Sequence, residues 1–421
     1  MLTTKGLGAL LAASLGALVG LMLDSPLLLL AGLLVHGLLA VGALTIRPPD
    51  LQLQRTVKGD TANEGEVVPI QLRIAAGRRQ GKALLELRDA LPGEVELAEG
   101  NNYAILDLAP GEVAELRYNV RFPVKGFHTL GPVRVRVEDP FGLFHRDQVL
   151  GDTTRVKVYP LVEDLKDAKA KSKYPFVTTG PFLVGNPGQG SAFFALREYV
   201  RGDSMRDVNW KASARSKNLV VNQRERESQS EVTILLDARA RGMVGTVRDN
   251  TFLYSCRGAA SLADLFLGNR SRVALVLYGD GIEHVNKRTS QNLSLDILEA
   301  VTRTAAKGDL SLAKVIDQTL PNIKPKTPVY ILSSLADDGG IEKAVAELRA
   351  FDMRVVVVSP SAPAFARAAL GASQDGAAQL DAAILEAQRE RAIGALRGMG
   401  ALVLDWQPGT SLSVSLLTGV V

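Results

Sequence analysis

The chain changes its hydrophobic rhythm along its length, and each rhythm predicts a different architecture. From Leu7 to Leu23, and again from Leu27 to Ile46, it is apolar without a single charge, the two runs parted by Asp24-Ser25-Pro26. At about 1.5 Å of helical rise per residue, each run approaches the roughly 30 Å of a bilayer core, so a transmembrane helical hairpin is expected over residues 1–47. A secretory signal peptide would explain the first run but would leave the second as a full spanning segment. From Leu51 to Pro160 the period becomes two. Stretches 67–74, 83–91 and 133–138 alternate apolar and polar positions, punctuated by Pro92-Gly93, Pro110-Gly111, Lys125-Gly126 and Gly131-Pro132. About seven or eight short strands at this spacing predict an immunoglobulin-like antiparallel β-sandwich at 48–160. After Glu231, short apolar strands at 232–236, 273–278, 329–332, 355–358 and 401–404 alternate with helical stretches near 246–267, 292–305, 311–320, 340–351 and 376–397. Continuous apolar strands separated by helices predict a parallel sheet covered on both faces, a doubly wound α/β domain at 231–421. The chain is therefore expected to be multidomain, with α and β parts.

Composition refines this picture. Of 421 residues, 46% are hydrophobic and 22% charged, enough apolar content for several buried cores. The slightly positive mean hydropathy of +0.09 is an effect of the two spans. Lys5 precedes them, Arg47, Arg55 and Lys58 follow, and the turn between them carries no basic residue. The positive-inside rule then places both ends, and the soluble domains, in the cytoplasm of a multi-pass membrane protein, with lipid as the partner of residues 7–46. Cys256 is the single cysteine, which excludes an intramolecular disulfide, and it is expected as a small buried hydrophobe. The four histidines, 36, 128, 145 and 284, have no zinc-ligand spacing. His36 is expected to be neutral and to face the partner helix or lipid rather than relay protons. A net charge of +4 over this length is too mild to argue for nucleic acid, and none is expected as a partner.

Between the two soluble domains lie a lysine-rich connector, KDAKAKSK at 166–173, and a glycine-rich stretch, GPFLVGNPGQG at 180–190, read together as a linker at 161–190. The stretch lacks the Gly-Lys-Ser/Thr of a phosphate loop and is expected to be a flexible loop. At 191–230 follows the most polar part of the chain. From Arg197 to Arg226 there are eight Lys/Arg against four Asp/Glu, with Tyr199 and Trp210 among them. Arg197, Arg206 and Arg215 offer planar donor forks, Asp203 is a carboxylate partner, and Trp210 can stack on a guanidinium. Two readings compete: a self-satisfied ion-pair network docking the segment on the next domain, and a recognition surface for an acidic or phosphorylated partner. Arg134 and Arg136, alternating with valines, are expected on a solvated strand face.

The run LREYVRGDSMRDVNWKASAR resembles the signature of the domain of unknown function family 58, through Arg197, Tyr199, Gly202, Asp203, Arg206, Trp210, Lys211, Ala214 and Arg215. The stretch RFPVKGFHTLGPVRVRVEDPFGLFHR, with Gly131-Pro132 and Asp139-Pro140-Phe141-Gly142-Leu143-Phe144, resembles the same family. The resemblance implies a von Willebrand factor A-like α/β domain and a MoxR-type AAA+ ATPase as a partner in assembly or maturation of protein complexes. It also implies where to look for a metal. Metal-binding domains of that kind end their first strand in Asp-x-Ser-x-Ser, whereas this chain has Asp237-Ala238-Arg239-Ala240-Arg241. Two arginines in place of the serines repel Mg²⁺, Gly308-Asp309-Leu310-Ser311 has no clearly placed threonine, and Ser333-Ser334 stand where a later acid belongs, with Asp337 and Asp338 nearby. Neither metal nor cofactor is expected, and Asp237 is expected to pair with an arginine of its own loop or of 197–215.

The function expected from these readings is a membrane-anchored, non-catalytic adaptor or scaffold whose partner-binding residues are Arg197, Tyr199, Gly202, Asp203, Arg206, Trp210, Lys211, Arg215 and Asp237. An enzyme with a site near Asp203, Arg206, Lys211 and Asp237, acting on an anionic substrate, is the main alternative. An extracellular adhesion-type module is a further one. In the helix near 376–397, Ala378, Ala382, Leu385, Ala392 and Leu396 form an apolar stripe that Arg389 interrupts.

Overall fold

Thr3 opens the first helix by accepting the backbone N–H of Gly6, and the helix α1 (Thr4–Met22) then runs through the first apolar stretch. Pro26 begins α2 (Pro26–Thr45) at the position where its missing N–H is no loss. The computed structural model describes residues 1–45, 50–77, 83–139, 141–151, 153–166, 182–228, 231–285, 292–335, 339–370 and 376–418. The chain divides into two compact units, Met1–Tyr159 and Pro160–Val421. Both helices are long and apolar enough to cross a bilayer. Small residues bring them together: a Cβ on Gly20 would lie 2.6 Å from the Leu29 nitrogen, and one on Gly32 2.9 Å from the Ala13 carbonyl oxygen. His36 lies 3.1 Å from Ser14 Oγ on the other helix and 2.8 Å from the Gly32 carbonyl, so it joins the pair.

Among the described residues eleven strands complete the first unit, more than the sequence pattern predicts, in three sheets. β1 (Leu51–Val57), β3 (Val67–Ala76), β7 (Val113–Arg121) and β5 (Glu96–Gly100) form one, in the order β1-β3-β7-β5. A second has the order β10-β9-β4-β6, from β10 (His145–Leu150), β9 (Val133–Glu138), β4 (Ala83–Asp89) and β6 (Tyr103–Leu108). The third is β2 (Thr61–Asn63), β11 (Thr154–Tyr159) and β8 (Gly126–Leu130), in the order β2-β11-β8. Strict alternation drives the layering. In β9 the three valines are buried and Arg134 and Arg136 exposed, and Arg136 pairs across the ladder with Asp147 at 2.8 Å.

One charge counted as a membrane flank lies elsewhere. The Arg55 guanidinium is buried against the Asp89 carboxylate, with side-chain exposures of 3% and 0% and a contact of 2.6 Å. It also donates to the Leu130 carbonyl, and Tyr118 donates to the other Asp89 oxygen at 2.5 Å. The following peptide, Gly131–Pro132, is cis, and Gly131 has φ +87°. A Cβ there would collide with the Arg55 Nη2 at 2.4 Å, so only glycine admits the guanidinium. In the folded chain Arg55 is thus spent on Asp89, and of the remaining flanks Arg47 lies outside the described residues.

The second unit contains a long ribbon, a six-stranded sheet and its helices. The ribbon pairs β12 (Phe182–Glu198) with β13 (Val220–Ser228). The glycine-rich stretch expected as a loop is thus largely strand, and its Pro187 and Gly188 sit at the register shifts of the ladder. Nearly all of the lysine-rich connector falls outside the described residues. The sheet comprises β14 (Glu231–Asp237), β15 (Arg272–Tyr278), β16 (Ile282–Val285), β17 (Pro328–Leu332), β18 (Arg354–Pro360) and β19 (Leu402–Trp406). Its order is β16-β15-β14-β17-β18-β19, parallel except for β16 at the edge. Alternate residues of each strand feed two cores. Ile234, Leu275, Tyr330 and Val356 join one with Phe252 and Phe266, while Leu235, Val276, Ile331 and Val357 join the other with Val315, Val345 and Leu396. Helices accordingly cover both faces. Cys256 is buried in the first of these cores.

Truncating Arg55→Ala leaves Asp89 buried without its guanidinium and is expected to cost about 3–5 kcal/mol, read as a lowered thermal midpoint of the full chain in detergent. Burial first, then its hydrogen bond to the Asp89 carboxylate, pushes the Tyr118 hydroxyl well above the usual tyrosine range. Because the folded value is the raised one, this contribution is intact below about pH 10 and lost as pH rises above it. Melts followed into that alkaline range should fall less steeply for Tyr118→Phe than for the wild type.

Candidate functional site

The sheet's order makes its first strand, β14, the neighbour of both β15 and β17. Connections leave in opposite directions there, and the crevice beyond the carboxyl ends of such strands is where open α/β sheets bind ligands. Here the crevice is filled from within. Asp237, last residue of β14, accepts from Arg239 Nε at 2.9 Å on Oδ1 and from Arg239 Nη2 at 2.6 Å on Oδ2, a two-pronged pair of buried side chains. The Arg239 backbone N–H adds a bond to Oδ1 at 3.0 Å, and Ser333, just past β17, donates its hydroxyl to Oδ2 at 2.7 Å. The guanidinium also stands over the Tyr278 ring, 5.5 Å from its centroid. Arg239 thus occupies the place where a cation would meet Asp237, and Ser334 Oγ is buried nearby without a hydrogen-bond partner among the described residues. Among the described residues no group of three or more His, Cys, Asp or Glu side chains is placed to hold a metal.

Backbone bonds stitch the surrounding loops into a rim. Ala238 donates to the Tyr278 carbonyl, Lys307 to Ala238, Ala240 to Gly308 and Leu310 to Gly279, all at 2.7–3.1 Å. Gly279 has to be glycine, because a Cβ would lie 2.5 Å from the Lys307 carbonyl oxygen. Arg241 does not reach into the crevice; it pairs with Asp309 on the rim at 2.6 Å. Beside the rim opens a cleft of about 330 Å³, lined by Tyr278, Asp280, Glu283, Arg303, Thr304 and Lys307 among others.

Arg389 is the residue that the sequence pattern misplaces. It lies on the helix Gly376–Gly398, where an amphipathic reading makes it an interruption of the buried stripe. In the structure Arg389 is itself buried, donating to the carbonyls of Ser334 and Ser359 at 3.1 and 2.9 Å and pairing with Asp405. Leu385, assigned to the same stripe, is 36% exposed, while Leu396 is fully buried; the side chains of Ala378 and Ala382 lie outside the described set. A guanidinium serving strand-end carbonyls needs the inward face, and that requirement overrides apolar periodicity. The signal available was a lone arginine inside an apolar stripe.

The signature segment builds a second feature from its own residues. Val200 to Asp203 forms a turn closed by Asp203 N–H on the Val200 carbonyl, with Gly202 at φ +113°. Gly202 permits that turn, which returns the Asp203 carboxylate to the Val200 N–H at 2.8 Å and to both Arg197 Nη atoms at 2.7 and 2.6 Å. The Arg197 guanidinium, then the Val200 N–H, hold the Asp203 carboxyl below the usual carboxylate range. Tyr199 donates its N–H to Leu219, and Asn209 caps a short helix, Trp210–Ser213, while its amide bonds Asn222. Five cations stay outside this frame. Arg201, Arg206, Lys211, Arg215 and Lys217 are exposed and have no ion-pair partner among the described residues. Among the described residues, Arg197–Asp203 is the ion pair that shapes this segment. Trp210 is 62% exposed, with Met205, Val200 and Leu196 also exposed around the segment. Among the described residues, guanidinium groups stand over the rings of Phe127, Tyr278 and Tyr254, and none over Trp210. Asp203 is paired with Arg197, and among the described residues it forms no ion pair with Lys211.

A family model described as "Protein of unknown function DUF58" matches residues 195–361, from the end of β12 to just past β18. No curated protein matches the chain. Among solved structures, the CARDB domain of a Pyrococcus furiosus protein is 16% identical, covering 27% of this chain and 91% of that one at a TM-score of 0.20. Escherichia coli alpha-2-macroglobulin is 19% identical over 27% of this chain and 7% of its own, with a TM-score of 0.22. The cupredoxin domain of amoB from Nitrosocaldus yellowstonii is 10% identical over 26% and 86%, with a TM-score of 0.20. None of these likenesses bears on the architecture, which rests on the strand order itself.

With the Arg239 guanidinium seated on Asp237, the wild-type chain should give no heat on titration with Mg²⁺. Arg239→Ser combined with Arg241→Ser should gain measurable binding through Asp237 and the serine hydroxyls. Tight Mg²⁺ binding by the wild type would overturn the assignment.

Proposed function

We propose that the chain is a membrane-anchored adaptor or scaffold without catalytic chemistry of its own, with its soluble parts on the cytoplasmic side. The observation that carries this reading is the signature segment. A rigid frame, fixed by the Arg197–Asp203 fork, holds up exposed apolar side chains, Leu196, Val200, Met205 and Trp210, among five cations without ion-pair partners in the described set. Exposed aromatic and arginine side chains on a stiff support are the composition of a protein-docking surface, and the cations favour an acidic partner face. The family resemblance suggests a MoxR-type AAA+ ATPase in that role, acting in assembly or maturation of protein complexes. A von Willebrand factor A-like identity for the α/β part is supported by the antiparallel edge strand and by Asp237 at the end of the first strand. In this proposal the arginine-filled rim is a recognition feature and not a metal centre. Lys5 and Lys58, the exposed basic flanks of the two apolar helices, favour the cytoplasmic side.

Affinity capture of the full chain in detergent tests the reading. The wild type should retain a AAA+ ATPase identified by mass spectrometry, and Arg215→Ala should weaken retention by about tenfold, the weight of one charged docking contact. Asp203→Ala, which releases the frame, should weaken it at least as much. If the wild type retains no ATPase, the partner assignment fails. Protease treatment of intact against lysed cells should cleave the soluble parts only after lysis.

A further inference from the structure

The stretch ending in Phe141-Gly142-Leu143-Phe144 belongs to the family-like part of the sandwich, yet neither the rim nor the signature segment uses it. Its loop is tightly shaped. Asp139 accepts the backbone N–H groups of Phe141 and Phe144 at 3.2 and 2.6 Å, and Gly142 takes φ +65°. So held, the loop grips the open end of the helical hairpin. Thr3, the cap of α1, donates its hydroxyl to the Gly142 carbonyl at 2.6 Å and its N–H to the Leu143 carbonyl at 3.0 Å. Leu2 bridges to Phe144. A Cβ on Gly6 would lie 2.1 Å from the Leu143 oxygen, and one on Gly42, near the end of α2, 3.0 Å from the Phe144 ring. The two glycines thus mark where the loop presses against both helices.

Phe144 is buried in that contact, but Phe141, three residues earlier, is 78% exposed. The shaped turn holds this large aromatic side chain out beside the hairpin. Helices of 19 and 20 residues match a bilayer core from end to end, so the open end of the hairpin falls at the headgroup boundary. That boundary favours aromatic rings. Lys5, exposed in the first turn of α1, suits the same depth.

We propose that Phe141–Phe144 forms an interfacial collar: Phe144 locks the sandwich to the hairpin, and Phe141 inserts into the headgroup region of the lipid bilayer. The inference rests on the membrane reading of α1 and α2. The collar fixes the sandwich at the bilayer surface instead of leaving it on a free tether.

Depth-dependent fluorescence quenching separates the two. The full chain, carrying Trp210→Phe so that buried Trp406 is the only native indole, is reconstituted into phosphatidylcholine vesicles brominated at different acyl depths. Phe141→Trp should lose emission most with bromines nearest the headgroup, whereas Leu34→Trp, exposed midway along α2, should lose most with the deepest. Quenching of Leu34→Trp without quenching of Phe141→Trp at any depth overturns the collar and leaves the membrane reading standing. Quenching of Phe141→Trp strongest at the deepest bromines also overturns it. Absence of quenching at both positions removes the membrane reading, and the collar with it.

Discussion

A carboxylate withdrawn from water has to be neutralised where it lies, and in both units of this chain a planar guanidinium does so. Asp89 at the end of β4 is held by Arg55, and Asp237 at the end of β14 by Arg239. Burial removes the screening that would make such pairs weak at a surface, so losing one member strands the other. Much of the nearby geometry follows from this. Gly131 exists to let Arg55 through, Tyr118 is drawn in to satisfy a remaining carboxylate lone pair, and Ser333 completes the shell of Asp237. Arg389 extends the same logic to carbonyls, donating to those of Ser334 and Ser359 at the strand ends.

What the sequence revealed and what it hid divide along the range of the interactions. Local periodicity placed the apolar helices, the alternating β9, and the strands of the α/β part within a few residues, because each pattern records which face is buried. Short elements slipped past it. β16 and the helix Ala362–Leu370 carry little periodic signal, and the ribbon's first half hides behind glycine and proline that mark bulges within a ladder. Long-range pairing was the least legible. Arg55 reads as a membrane flank because its partner lies 34 residues away, and Arg389 as a flaw because its partners are strand ends. In the signature segment the residue types were visible, but the division between Arg197 and Asp203, used for shape, and the cations left free was not.

That division is also the functional contrast within the second unit. Residues that define shape are spent on internal bonds, and those with surplus charge or apolar surface stay available. The crevice at the carboxyl edge belongs to the first class, and the outer side of the signature segment to the second. Asp203 and Asp237, the two carboxylates singled out from the sequence, both fall in the first class, each held by an arginine.

Because Arg239 is two residues from Asp237 in the chain, the ion at the crevice cannot diffuse away. A site served by a dissolved cation has an empty state, and its occupancy follows the composition of the medium. Here the cation can leave the carboxylate only as far as its own side chain rotates, and an arginine does not surrender its proton at any physiological pH. The charge that meets Asp237 is therefore part of the chain itself, and its presence does not depend on what the medium supplies.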